Sequence, residues 1–144
     1  ALWRGFNEML AAGCISRLPR MHPVQSTAFQ AIESAYNGDS WIPEPDAKTM
    51  AIGVSIASPP RLARLVEICR EAEGVPVSVP DASTLVWQHE IALREGILIE
   101  PTSALVLAGL EELLRRGVVS KGDRVLLPLT GFGVKEPIIL TNYE

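Results

Sequence analysis

Cysteine and histidine are scarce in this chain, and each scarcity closes off a chemistry. Its 144 residues include only two cysteines, Cys14 and Cys69, too few and too isolated for a disulfide framework or a thiolate metal site. Both read as small buried hydrophobes in a reducing compartment, so a cytoplasmic protein is expected. The two histidines, His22 and His89, lie far apart with no HxxxH or HExxH spacing, which leaves no legible metal site. No Ser/His/Asp or Cys/His arrangement emerges from the spacing either. Basic residues are scattered and the formal net charge is -4. A phosphate-backbone partner wants a basic stripe, so nucleic acid is excluded as the expected partner. No uninterrupted apolar run approaches the length of a membrane span, and the start carries no signal-peptide layout.

What is present is an apolar chain the size of one domain. Hydrophobic residues make up 47% and charged residues 21%, with a mean hydropathy of +0.19. That surplus suggests apolar surface covered by something outside these residues. The opening ALWRGFNEMLAAG begins without Met and with an amphipathic pattern under way. Leu2, Phe6, Met9 and Leu10 share one helical face, Gly13 is a C-terminal stop, and no capping residue precedes the run. It reads as the inside of something longer.

Strand and helix signals then alternate. Residues 20–25 read as a short strand weakened by Pro23, and Thr27 to Tyr36 as a helix. Residues 37–48 are irregular and read as a surface connection. MAIGVSI, 50–56, reads as a small apolar strand, followed by Ser58 as an N-cap with Pro59 at the first helical position. A helix carrying Leu62, Leu65, Val66 and Cys69 on one face stops at Gly74, VPVSVP alternates as a strand, and Asp81 reads as the cap of the next helix. A short ILIE strand leads to a helix opened by Thr102, and GDRVLLPLTG closes the pattern as a strand. Such alternation predicts an α/β layered domain, with a largely parallel sheet and flanking helices.

Two stretches carry candidate chemistry. LPLTGFGVK, 127–135, ends an apolar run on a hydroxyl and enters two glycines around one Phe. Ligands in open α/β sheets sit beyond the carboxyl ends of strands. Glycines there let backbone approach a ligand closely, and the Thr130 hydroxyl can donate or accept. Glycine pairs after strands are more often plain turns. The second stretch is Glu100-Pro101-Thr102-Ser103-Ala104, where a carboxylate and two hydroxyls meet a helix N-terminus. Anions favour such an end, whereas Thr102 or Ser103 as a mere cap, and Glu100 as a solvated strand end, are the ordinary readings. Asp46, Asp81, Glu111 and Glu112 show nothing beyond capping or a solvated face.

Taken in order, REGILIEPTSALVLAGLEELLRRG, 94–117, and KGDRVLLPLTGFGVKEP, 121–137, resemble the C-terminal part of the threonine synthases, a family of fold-type II pyridoxal-phosphate (PLP) enzymes. MAIGVSIASPP, GVPVSVPDASTLVWQHEIALREG and the opening ALWRGF also look like family segments. The resemblance covers nearly the whole chain and is weakest over 37–48. It implies that Thr130 offers its hydroxyl to the pyridine nitrogen of PLP, which need not be protonated as it would be beside a carboxylate. It implies that Gly131 lets backbone pass beside the ring, that Gly53 matches a small residue on the ring face, and that Glu100 has a supporting role. The implied reaction converts O-phosphohomoserine and water to threonine and phosphate, using a lysine for the covalent and proton-transfer work.

The chain has only Lys48, Lys121 and Lys135, and none stands in a motif resembling the family's cofactor-carrying segment. Lys135 matches a loop lysine. An N-terminal half with that lysine and the phosphate-binding glycine loop is therefore expected elsewhere, and these 144 residues alone are expected to be inactive. The complete enzyme is expected to act on a small amino-acid substrate as a homodimer. Two departures bear on the substrate: Ser55 stands where many members carry Arg, and Phe132 where a small or polar residue often stands. A threonine or serine dehydratase-like lyase of the same fold remains open. So do a non-catalytic ligand- or partner-binding module and a generic nucleotide-binding domain.

Overall fold

In the computed structural model residues 1–135 are described; Glu136 and Pro137 of the family-like segment lie outside the described residues. The sheet consists of two strands, β1 (Val24–Ser26) and β2 (Val77–Val79), paired in parallel with Val24 opposite Val77, Gln25 opposite Ser78 and Ser26 opposite Val79. Parallel neighbours need a long crossover, and here it carries helices α2 (Ala31–Asn37) and α3 (Leu62–Glu71). Two longer helices follow, α4 (Asp81–Glu95) and α5 (Pro101–Arg115).

The core lies where α5 crosses the sheet. Leu105 and Ala108 pack with Ala51 and Val79, and Leu113 packs with Val77 and Val119. Close approach is possible because residue 109 is glycine: a Cβ there would run into the Val24 side chain. On the other face of β1, set by the two-residue period, Gln25 is buried and fully used. Its Nε2 donates to the Phe29 carbonyl at 2.8 Å, and its Oε1 accepts the N–H groups of Ile32 at 2.8 Å and Glu33 at 3.1 Å. A strand residue thereby satisfies first-turn amides of α2, whose own N-cap Gln30 supplies no side-chain bond. Gln88 does the same kind of work between α4 and the segment before α5, donating from Nε2 to the Ile99 carbonyl at 2.6 Å.

The first helix, α1 (Leu2–Ala11), buries none of its residues. Its stop is the expected one: Gly13 has φ +71° and the N–H of Cys14 bonds the Met9 carbonyl at 2.9 Å. Leu2, Met9 and Leu10 stay exposed, and Trp3 Nε1 donates to Glu71 Oε2 of α3 at 3.2 Å. Cys69 is buried as expected, but Cys14 is exposed just past the α1 stop.

Three strand expectations did not hold. Residues 50–56 form a 3-10 turn at Ile52–Val54, because side chains rather than a neighbouring strand take their amides. Residues 124–130 form no ladder among the described residues, and Val125, Leu126 and Leu129 are exposed. The ILIE segment contributes one antiparallel bridge, Ile99 with Phe132. Ser58 does not cap α3, which starts at Leu62 with no side-chain cap.

His22 enters β1 with its ring half-buried, and its Nδ1 accepts the N–H of Val75 at 3.0 Å, which places the proton of the neutral ring on Nε2. Burial pushes the His22 pKa below its ordinary value; the Val75 carbonyl opposes that shift and Arg20 adds to it. The unfolded chain therefore binds more protons than the folded one between the lowered value and about 6.5. Stability from this group is complete above that pH and is lost as pH falls below it. The urea midpoint should drop between about pH 7.5 and about pH 5, and His22→Asn, which keeps an acceptor for Val75, should flatten that drop. Equal slopes in both proteins would remove His22 from the acid response.

Candidate functional site

The first turn of α5 is where the candidate residues converge. Glu100 is the N-cap residue and makes no capping bond with its side chain, while Pro101 is the first helical residue. Proline there is preset for the helix and lacks an N–H that would go unpaired. Thr102 and Ser103 consequently stand past the cap, inside the helix, with hydroxyls available to other segments. Thr102 Oγ1 accepts the N–H of Gly53 at 3.1 Å. Ser103 Oγ, on a residue 2% exposed, accepts the N–H of Gly131 at 2.9 Å. Neither hydroxyl caps the helix, so the ordinary reading of this stretch is corrected: both tie a glycine-bearing segment to α5.

The turn at 130–133 is stitched down further. The N–H of Glu100 donates to the Gly131 carbonyl at 3.1 Å, and the N–H of Gly133 to the Leu98 carbonyl at 2.8 Å. Contact is close enough to demand glycine. A Cβ on Gly131 would overlap the Glu100 carboxyl, and one on Gly133 would lie 2.7 Å from Leu98 Cγ and 2.9 Å from the Ile99 carbonyl oxygen. At Gly53 a Cβ would come within 2.9 Å of Thr102 Cγ2.

The segment bearing Gly53 has a second anchor. Asp81 Oδ1 accepts the Thr49 hydroxyl at 2.6 Å and Oδ2 accepts the Met50 N–H at 2.7 Å. Thr49 Oγ1 in turn accepts the N–H of Ala51, a residue with no exposed surface, at 3.2 Å. Asp81 is thus the first residue of α4, not its cap, and its carboxylate fixes the strap 49–53 at one end while Thr102 fixes the other.

Of the four residues singled out in the sequence, Gly131 is buried against Glu100, which is itself half-buried. Gly53 is exposed and reaches the same helical turn through Thr102. Thr130 is exposed next to Gly131, and its hydroxyl makes no hydrogen bond among the described residues. Phe132 is 52% exposed and Ser55 is exposed, its Oγ donating to the Ile52 carbonyl at 2.6 Å. Sequence reasoning missed Thr102, Ser103, Asp81 and Thr49 as site supports. The readable signal was Pro101: a proline at the first helical position moves the hydroxyls out of the cap.

Comparison with known proteins places this geometry in context. Residues 1–131 match the family described as "Pyridoxal-phosphate dependent enzyme". The chain is 31% identical over 139 residues to a protein named threonine synthase from Methanocaldococcus jannaschii, covering 95% of this chain and 34% of that protein. It is 32% identical over 137 residues to one of the same name from Mycobacterium leprae, covering 95% and 36%. The chain therefore spans about a third of the length of these curated relatives. A fungal L-serine ammonia-lyase from Rhizomucor miehei has the same fold, with a TM-score of 0.70 at 18% identity over 97% of this chain and 46% of that one. A bacterial threonine deaminase, from T.th., aligns with a TM-score of 0.53 at 25% identity, over 74% and 41%.

Contrasting glycines test the shelf. Gly131→Ala should cost roughly 1–3 kcal/mol through the forced shift of Glu100. Gly5→Ala, in open space within α1, should stabilise by about 0.5–1 kcal/mol. Urea unfolding measures both, and equal effects would mean that Glu100 gives way freely.

Proposed function

Because the chain belongs to the family of pyridoxal-phosphate dependent enzymes, we propose that the first turn of α5 and the two segments tied to it form one wall of a PLP site. The observation that carries this reading is the double tie, Gly53 N–H to Thr102 and Gly131 N–H to Ser103. It fixes two glycine backbones against one helical turn, beside a hydroxyl that has no protein partner among the described residues.

The residues present suit such a ring. Thr130 offers a neutral group that can donate to or accept from the pyridine nitrogen. Gly131 keeps bulk away from the ring edge, Gly53 keeps it away from the ring face, and Glu100 supports the turn from behind. When bound, the cofactor supplies the electron sink for bond breaking at the carbon skeleton of an amino acid. The chain's own part is to hold the ring at Thr130 and to keep the two strips flat.

The lysine that carries the cofactor, and the glycine loop for its phosphate, belong to sequence outside these residues in this reading; Lys48, Lys121 and Lys135 do not serve. The exposed apolar side chains of Ile52, Ile56, Leu126, Phe132 and Val134 are then covered by the rest of a dimeric enzyme.

For the reaction, the relatives' names favour conversion of O-phosphohomoserine and water to threonine and phosphate. A second reading, elimination of ammonia from serine or threonine, is favoured by Ser55 standing where many threonine synthases carry Arg, and by the names of the structural neighbours.

Borohydride reduction of the complete protein with PLP, followed by mass analysis, should leave a pyridoxyl group on one lysine outside this chain. Thr130→Val in that protein should lower turnover about tenfold, the worth of one hydrogen bond, with cofactor retained. No adduct, together with unchanged turnover, would contradict the cofactor reading. Phosphate release from O-phosphohomoserine, against ammonia release from serine or threonine, separates the two reactions.

A further inference from the structure

Resting on the cofactor-wall reading above, we infer that Ser103 and Thr102 are positioning residues: adjacent hydroxyls on one rigid helical turn set how far apart the ring-edge and ring-face strips stand. Ser103 touches the strip at Gly131, directly after Thr130, and Thr102 touches the other at Gly53.

The geometry makes them a pair. Side chains at consecutive helical positions point about 100° apart, so one turn can hold two segments on different sides without the segments meeting. Each hydroxyl accepts a backbone N–H, so what it fixes is the peptide plane and not a side chain. The peptide plane ending at the Gly131 nitrogen begins at Thr130, so Ser103 constrains the backbone that carries the Thr130 hydroxyl. Burial strengthens the constraint. Ser103 is 2% exposed, so water cannot replace it as the partner of the Gly131 N–H, and the unpaired amide would be costly. The Gly53 strip has an independent anchor at Asp81, whereas the Gly131 strip relies on Ser103 and on its backbone bond to Glu100. Ser103 is accordingly the more sensitive of the two.

A double-mutant cycle in the complete, cofactor-loaded enzyme tests this. Ser103→Ala should lower kcat about tenfold with KM changed less than about threefold, because an orienting bond is lost and no substrate contact is. In a Thr130→Val background the same change should lower kcat less than about twofold, because Ser103 acts through Thr130. The absorption band of the bound cofactor should shift with Ser103→Ala in the Thr130 enzyme and stay fixed in the Thr130→Val enzyme. Fully additive effects, with Thr130 itself sensitive, would overturn the positioning role and leave the cofactor wall standing. Insensitivity of turnover to Thr130→Val alone would bring down the wall and the positioning role together. Should Ser103→Ala fail to fold, Thr102 gives a milder pair: Thr102→Ser keeps the acceptor and should retain the wild-type cofactor spectrum, and Thr102→Val, nearly isosteric, should not. Identical spectra for those two variants would overturn the inference.

Discussion

The backbone N–H of a glycine in a surface turn normally finds water. Here two such groups, on Gly53 and Gly131, instead find side-chain oxygens on neighbouring residues of one helix. That choice governs the rest. A buried N–H must be paired, so the position of α5 dictates where both segments lie. The position of α5 is itself set by its packing across β1 and β2, through Leu105, Ala108 and Leu113 and through the bare backbone at Gly109. A path of contacts runs from sheet to helix to site, and each step is either close packing or a paired amide.

Polar side chains replace regular ladders at several places in this fold. Gln25 satisfies α2, Asp81 satisfies the strap at 49–50, and Gln88 reaches the Ile99 carbonyl. A two-stranded sheet offers few ladder bonds, and these side chains supply what a wider sheet would. At the far end of α5, Glu112 takes both Arg115 and Arg116, which hold its carboxyl down to about 2, and Arg116 also reaches Glu33 of α2 at 2.9 Å. These groups are mostly exposed, so their worth is small beside the buried amides.

The helices were largely legible in the sequence, since 3.6-residue periodicity and glycine stops are local. Gly13 with φ +71° and Gly96 with φ +67° end α1 and α4 as their positions suggest. The strands at 50–56 and 124–130 were not legible, because an apolar run becomes a strand only if a neighbour supplies hydrogen bonds. At 50–54 the side chains of Asp81, Thr49 and Thr102 supply them instead. At the site, the family-like residues Thr130, Gly131, Gly53 and Glu100 could be named from motif. What links them could not, because Thr102 and Ser103 look like caps until Pro101 is placed at the first helical position and Glu100 at the cap.

The central claim is that the first turn of α5 holds both glycine segments by their backbone amides. Residue-resolved hydrogen exchange on the Gly53 and Gly131 N–H groups tests it most directly. The account predicts that both amides exchange slowly, with Gly131 the slower because Ser103 is buried. Exchange of both at the rate of a solvated loop would contradict it, and the site would then have no common support.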